Sequence, residues 1–216
     1  MTSTRGFVLH HTQLRPVPGI ESLRLHLADE VLPLWHALQV ETGNPDAALP
    51  YWAFAWSGGL AIAHYLTDHP RAVADLRVLD LGAGSGLCAI AAGASGAATV
   101  TAVDIDRFAI TAVGLNARAN KVRVDTVERD ILDDPAPDVD VILAGDCWYE
   151  SGLAERVMPW LRAARAGGIT VLIGDPRRRY LATDELMELG AYEVRTTTEL
   201  EDLDHKRSWV YTLRDA

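Results

Sequence analysis

From residue 77 onward, short runs of Val, Ile, Leu and Ala alternate with longer stretches whose apolar residues recur at helical spacing. Continuous apolar runs are how strands read when both faces of a sheet are covered, and the intervening stretches are long enough for crossover helices. The pattern is βαβα and predicts a doubly wound α/β domain. Strands are expected over 77–81, 99–103, 122–128, 139–143 and 168–173, with helices over 86–94, 107–120 and 152–166. Beyond them a helix is expected over 183–189, then two β-rich runs, 192–198 and 207–213, linked closely enough to pair as an antiparallel hairpin on the sheet edge.

Upstream, Leu23, Leu25 and Leu27 alternate with Arg24 and His26, the period of a half-buried strand over 22–28. Residues 42–50 read as a loop, and 57–68 as a helix with Ser57 as its cap, Gly58 and Gly59 in its first turn and Pro70 just past its end. Residues 1–70 are therefore expected to form a short α/β extension and a helix leading into a domain over 71–216, all in one structural unit.

Composition narrows the classes without naming a chemistry. A length of 216 residues with 49% hydrophobic and 23% charged suits one globular domain, and no stretch approaches the ~20 apolar residues that span a bilayer. The first residues carry His10, His11 and Arg15 but no apolar leader core, so a cytoplasmic protein is expected. A net charge of −10 repels phosphate backbones, which argues against nucleic acid as a partner. Arg177, Arg178 and Arg179 read either as a solvated loop or as a docking point for an acidic face. Cys88 and Cys147 have no metal-ligand spacing, so reduced thiols and no metal are expected.

The most specific feature is Val78-Leu79-Asp80-Leu81-Gly82-Ala83-Gly84-Ser85-Gly86, an apolar strand running into a glycine turn and then a helix. Glycine lets backbone come close to a ligand, so this turn seats something against its main chain. The spacing is G-x-G-x-G, and Leu87 stands where the nicotinamide fingerprint has its third glycine. Asp80, just before the first glycine, is placed to meet a cationic cofactor. Asp104, about 20 residues past the turn, can take a ribose hydroxyl pair. Asp130 follows the third strand, where it can accept from an adenine amino group while Ile131 packs on the ring. Each acid read alone is also a loop or helix-capping aspartate, and Asp106 reads as a helix cap.

Asp80 to Gly86, Asp104 and Asp130 resemble the cofactor motifs of the seven-strand, Rossmann-like methyltransferases, which implies S-adenosylmethionine held by Asp80, Gly82, Ala83, Gly84, Gly86, Asp104, Ile105, Asp130 and Ile131. Two further segments narrow the resemblance: Pro50-Tyr51-Trp52-Ala53-Phe54-Ala55-Trp56-Ser57-Gly58-Gly59, and Gly145-Asp146-Cys147-Trp148-Tyr149-Glu150 after the fourth strand. With Ile173-Gly174-Asp175-Pro176, they are similar to the electron transfer flavoprotein beta subunit lysine methyltransferase family. Ser57 departs from that pattern, standing where the family often has proline. The resemblance implies a protein-lysine N-methyltransferase with that beta subunit as partner, Trp52, Trp56, Gly58 and Asp146 near the cofactor, and Asp146 and Tyr149 at the reacting amine. Core packing is the competing reading for Trp52 and Trp148, and capping of the helix after Gly152 for Asp146. A free lysine has a pKa of ~10.4, so only about one in a thousand is neutral near pH ~7.4. Asp146 is therefore expected to orient the ammonium, Tyr149 to align it, and the proton to leave through water. Another lysine-bearing protein, such as a ribosomal protein, or a small amine is the alternative acceptor; a nicotinamide oxidoreductase and a non-catalytic binding module are the remaining readings.

Overall fold

The computed structural model describes residues 3–196 and 205–214. Its central sheet has seven strands in the order β5-β4-β3-β6-β7-β9-β8. These are β3 (Arg77–Leu81), β4 (Thr99–Asp104), β5 (Asp125–Glu128), β6 (Val141–Gly145), β7 (Thr170–Asp175), β8 (Leu186–Arg195) and β9 (His205–Leu213). The first five run parallel, and β9 pairs antiparallel with both β7 and β8.

Apolar runs in the central strands bury both faces. Val78, Val141, Leu143 and Leu172 pack on one side against Leu60, Ile62 and Ile90 of the helices α3 (Ser57–Asp68) and α4 (Leu87–Ala94). Leu79, Ile142, Val171 and Ile173 pack on the other against Val157, Leu161 and Ala164 of α6 (Ser151–Ala166). The helix α5 (Arg107–Asn120) starts at Asp106, whose carboxylate accepts from Phe108 N at 2.7 Å, the capping expected of it.

The N-terminal part holds α1 (Thr4–His11), the antiparallel pair β1 (Gln13–Val17) and β2 (Ile20–Leu27), and α2 (Val31–Thr42). The β1–β2 pair is tied to α5 by two asparagines one helical turn apart. Asn116 Oδ1 accepts from His26 N at 2.7 Å, and Asn120 Oδ1 from Arg24 N at 2.8 Å. Leu23 and Leu25 thereby join the main core, while Phe7, Leu34 and Leu38 form a third apolar cluster with Trp52, Phe54 and Phe108.

Three local expectations are corrected. Residues 183–189 do not form a helix, because β8 begins at Leu186 and pairs with β9 from Leu186↔Leu213 onward. Long-range pairing overrides the helical reading of Leu186-Met187-Glu188-Leu189. The strand expected over 192–198 is the end of β8, and positions 197 and 198 lie outside the described residues. Ser57 is the first residue of α3 and not its cap; Trp56 occupies the cap position without a side-chain bond. No helix among the described residues is long and apolar enough to cross a membrane.

Candidate active site

Parallel strands present their carboxyl ends on one side of the sheet, and the loops leaving them enclose a cavity of about 1000 Å³. Its floor is the turn after β3. Gly82 and Gly84 have φ of 64° and 51°, a left-handed region that a β-carbon makes costly. The turn is held by Ala83 N donating to Val103 O at 3.0 Å, and by Gly84 N donating to Asp104 Oδ2 at 2.8 Å. From outside, Asn116 Nδ2 donates to Ser85 O at 2.9 Å. Gly86, expected at the cofactor, does not line the cavity. It caps α4 at φ 78°, and a β-carbon there would lie 3.0 Å from Val113 Cγ2, so it packs closely on α5.

The three acids sit differently. Asp80 is buried beneath the turn, where its Oδ2 accepts from Ala89 N of α4 at 2.9 Å. Burial pushes its carboxyl up to about 7, against the pull of that N–H. Asp104 ends β4, and its Oδ1 also accepts from Asp106 N at 2.9 Å; burial raises its pKa, opposed by the backbone donors. Asp130 stands near the surface, paired with Arg156 of α6 at 2.8 Å, and that guanidinium lowers its pKa. Beside them Ile105 leaves 73% of its surface open at the cavity, whereas Ile131 is buried against the α6 side of the sheet.

The opposite wall depends on four glycines. A β-carbon on Gly58 would sit 2.2 Å from Gly174 O, and one on Gly174 would sit 2.1 Å from Gly58 O. A β-carbon on Gly145 would approach Gly59 N to 3.2 Å. The first turn of α3 therefore lies directly on the ends of β6 and β7. Gly58, also expected at the cofactor, is turned away from the cavity by this contact, while Gly59 lines it. Gly58 N and Gly59 N donate to Asp146 Oδ1 and Oδ2 at 2.9 and 2.7 Å, so a carboxylate distant in sequence caps α3 in place of Ser57. The capping role considered for Asp146 at α6 is thus corrected: α6 begins at Ser151, and Glu150 in its cap position makes no side-chain bond.

Asp146 is also strained and paired. Its φ is 60°, uncommon outside glycine, and Arg178 Nη1 donates to its Oδ1 at 2.5 Å. The same Nη1 lies 3.1 Å from Asp175 Oδ2. Burial raises the Asp146 pKa, opposed first by Arg178 and then by the two helix N–H groups. The arginine run thus divides. Arg178 turns inward, while Arg177 stacks on Trp209 at 4.0 Å and donates to Tyr211 Oη at 2.8 Å.

Aromatic rings close the mouth. Tyr51 lies 5.6 Å from Trp56 and 5.1 Å from Tyr149 between ring centres, and Trp56 Nε1 donates to Tyr51 O at 2.9 Å. Burial, with Tyr51 and Glu150 nearby, raises the Tyr149 pKa. Trp52 is mainly a core residue stacked on Phe108 at 5.9 Å, with one edge on the cavity, and Trp148 is wholly in the core.

Asp80, Gly82, Ala83, Gly84, Asp104, Ile105, Asp130, Ile131, Asp146, Tyr149, Trp52 and Trp56 thus converge on one cavity. The chain is 34% identical to the electron transfer flavoprotein beta subunit lysine methyltransferase of Xenopus laevis, over 98% of its own length and 87% of that protein's. It belongs to the electron transfer flavoprotein beta subunit lysine methyltransferase family. The Caenorhabditis elegans homolog in this family is 32% identical over 85% of the chain and 79% of that protein. The family model for ribosomal protein L11 methyltransferase (PrmA) matches residues 65–145. In fold, the chain is similar to a magnesium protoporphyrin IX methyltransferase from Synechocystis PCC 6803 with bound SAM, at a TM-score of 0.53 and 14% identity over 72% of this chain and 78% of that one. This member of the lysine methyltransferase family is an S-adenosylmethionine-dependent enzyme.

Proposed function

We propose that the chain transfers the methyl group of S-adenosylmethionine to lysine side chains of the electron transfer flavoprotein beta subunit. The relatives that span most of the chain carry that activity in their names. The observation that carries the reading is a single cavity with an acidic, glycine-floored half and an aromatic half, meeting at Asp146.

The residues present fit the cofactor. A β-carbon on Gly82 or Gly84 would meet no protein atom closer than 3.7 Å, so the floor is open to a ligand. Buried Asp80 and Asp104 at that floor suit a cationic ligand, which would offset the burial that otherwise favours their protonated forms. In this reading Asp104 accepts from the ribose hydroxyls and Asp130 from the adenine amino group, with Ile105 and Ile131 against the ring. Asp80 faces the methionine end, above Gly82, Ala83 and Gly84, and Trp52 and Trp56 wall the other side. Bound there, S-adenosylmethionine supplies an electrophilic methyl on a sulfonium. The protein's own work is positioning and electrostatics. Tyr149 aligns the acceptor nitrogen at the mouth, Asp146 orients it, and its proton leaves to solvent there.

The test is incubation with methyl-labelled S-adenosylmethionine and purified acceptors, followed by mass spectrometry of the labelled protein. Label on lysines of the flavoprotein beta subunit is expected. The match to the ribosomal protein L11 methyltransferase model favours a second acceptor, although it covers mainly the cofactor half. Label on protein L11 and none on the beta subunit would replace the first reading with the second, and label on a small amine alone would overturn both.

A further inference from the structure

Asp146 and Asp175 come from the ends of two adjacent parallel strands and converge on one cation. Gly145↔Gly174 is the last pair of the β6–β7 ladder, so the residues after it emerge side by side. Arg178 answers both carboxylates through one nitrogen, at 2.5 and 3.1 Å, and its own N–H donates to Asp175 Oδ1 at 2.6 Å. Its side chain is 18% exposed and lines the cavity beside Asp146, whereas Asp175 lies behind them. A guanidinium suits this place because its planar fork can face two carboxylates and stays charged at any working pH.

That placement resolves a difficulty in the chemistry. The acceptor amine must be neutral to attack a sulfonium methyl, yet an unpaired carboxylate within about 4–6 Å favours the ammonium by about 1–3 pKa units. A bare Asp146 would bind the acceptor in its unreactive form. We propose that Arg178 is a positioning residue that neutralises Asp146, so that the acceptor lysine is oriented at this wall without being held as its ammonium. The inference rests on the reading that Asp146 and Tyr149 face the acceptor.

The surrounding charges point the same way. Asp80, Asp104, Cys88 and Cys147 share the deeper part of the cavity, and Tyr51, Tyr149 and Glu150 its mouth. Apart from the α3 amide dipoles at Gly58 and Gly59, Arg178 is the positive group in contact with Asp146 among the described residues. Burial, with Asp146 nearby, pushes Asp175 up to about 6, against the pull of Arg178.

The experiment uses the full chain with S-adenosylmethionine and the flavoprotein beta subunit both saturating, and reads kcat, which reports groups in the bound complex, against pH for wild type, Arg178→Gln, Arg178→Lys and Asp146→Asn. Cofactor affinity by calorimetry serves as the control for folding and for the other end of the cavity. Arg178→Gln, which keeps a hydrogen-bonding side chain, is expected to move the acid limb about one pH unit or more to the alkaline side. Arg178→Lys should restore most of the shift, Asp146→Asn should move the limb the opposite way, and cofactor affinity should stay within about twofold of wild type in the arginine variants. An Arg178→Gln profile superimposed on wild type, with only its height reduced, overturns the proposal in favour of a structural role. If Asp146→Asn still shifts the limb in that case, the acceptor-end reading stands; if neither variant shifts it, that reading has failed as well. Loss of cofactor affinity equal to the loss of turnover would move Arg178 to the cofactor end and likewise overturn the proposal.

Discussion

Replacing Gly58 with alanine tests how the acceptor wall is built. The new methyl carbon would lie 2.2 Å from Gly174 O, 2.7 Å from Gly174 C and 2.8 Å from Asp146 Cγ. Normal contact requires about 1 Å more. The β7 backbone cannot give way, since it is paired with β6 on one side and β9 on the other. The first turn of α3 must lift instead, taking Gly58 N and Gly59 N away from Asp146, which they reach at 2.9 and 2.7 Å. Overpacking costs about 1–3 kcal/mol, and each hydrogen bond to a charged group about 1.5–3, against a helix-propensity gain of about 1. A net loss of roughly 3–8 kcal/mol follows. At about 2–4 °C per kcal/mol for a chain of this size, Gly58→Ala should lower Tm by at least about 6 °C. Gly59→Ala is the matched control, because a β-carbon there meets nothing closer than 3.7 Å. It should melt at the wild-type midpoint or up to about 4 °C above it, the helix-propensity gain being unopposed, while adding a methyl group to the cavity wall and weakening cofactor binding. Thermal melts of the three proteins without cofactor decide it, and a Gly58→Ala midpoint within about 2 °C of wild type refutes the argument.

Asp104→Ala should weaken S-adenosylmethionine binding about 10- to 100-fold by calorimetry, the worth of a charge-assisted hydrogen bond; wild-type affinity would remove Asp104 from the ribose assignment. Asn116→Ala leaves His26 N and Ser85 O without their partner, at about 1–3 kcal/mol each. Tm should fall and the His26 amide should exchange faster; unchanged protection of that amide would show that the link carries no load. Asp80 has a folded pKa of about 7, raised above its unfolded value of about 3.9. The folded state therefore holds the proton more tightly, and its stabilising contribution is complete below about pH 4 and lost as pH rises through about 7. Asp175, raised to about 6, acts in the same sense, so between about pH 5 and 8 cofactor-free Asp80→Asn should lose Tm with pH less steeply than wild type. An unchanged slope would exonerate Asp80. Asp140, lowered to about 2 by Arg77, contributes the opposite trend, with stability lost as pH falls from about 4 toward 2 and so outside that window.

What was legible in the sequence was local. The strand, glycine turn and helix from Arg77 to Ala94 follow from an apolar run and left-handed glycines, and α5 occupies the expected 107–120 because its cap, Asp106, is adjacent to it. What was not legible depended on distant partners. The competing reading of Asp146 makes it a cap for the helix that follows it, yet it caps α3, 87 residues earlier at Gly59. Gly58 looked like cofactor-contacting backbone, but its small size answers Gly174, which no local pattern pairs with it. Arg178 was hidden between two other arginines; the spacing Asp175-x-x-Arg178 hinted at a pair, and only the sheet brings Asp146 alongside. Neither N-terminal helix is marked in the sequence, for physical reasons. The cap of α2, Glu30, makes no side-chain bond and Pro33 lies in its first turn, while α1 spans only 8 residues, with Ser3 as its sole signal.

The order of the sheet makes one region all-or-none. Among the described residues β8 touches the other strands only through β9, and β9 occupies the edge of β7. A truncation or cut that removes β9 would therefore strip β8 of the strand it pairs with and lay bare the hydrogen-bonding edge of β7, whose Val171, Leu172 and Ile173 are among the most buried of the described residues. Such an unprotected apolar edge invites other chains to pair with it. Shortened forms should therefore fail by self-association, even though the glycine turn and its acids lie at the far strands of the sheet.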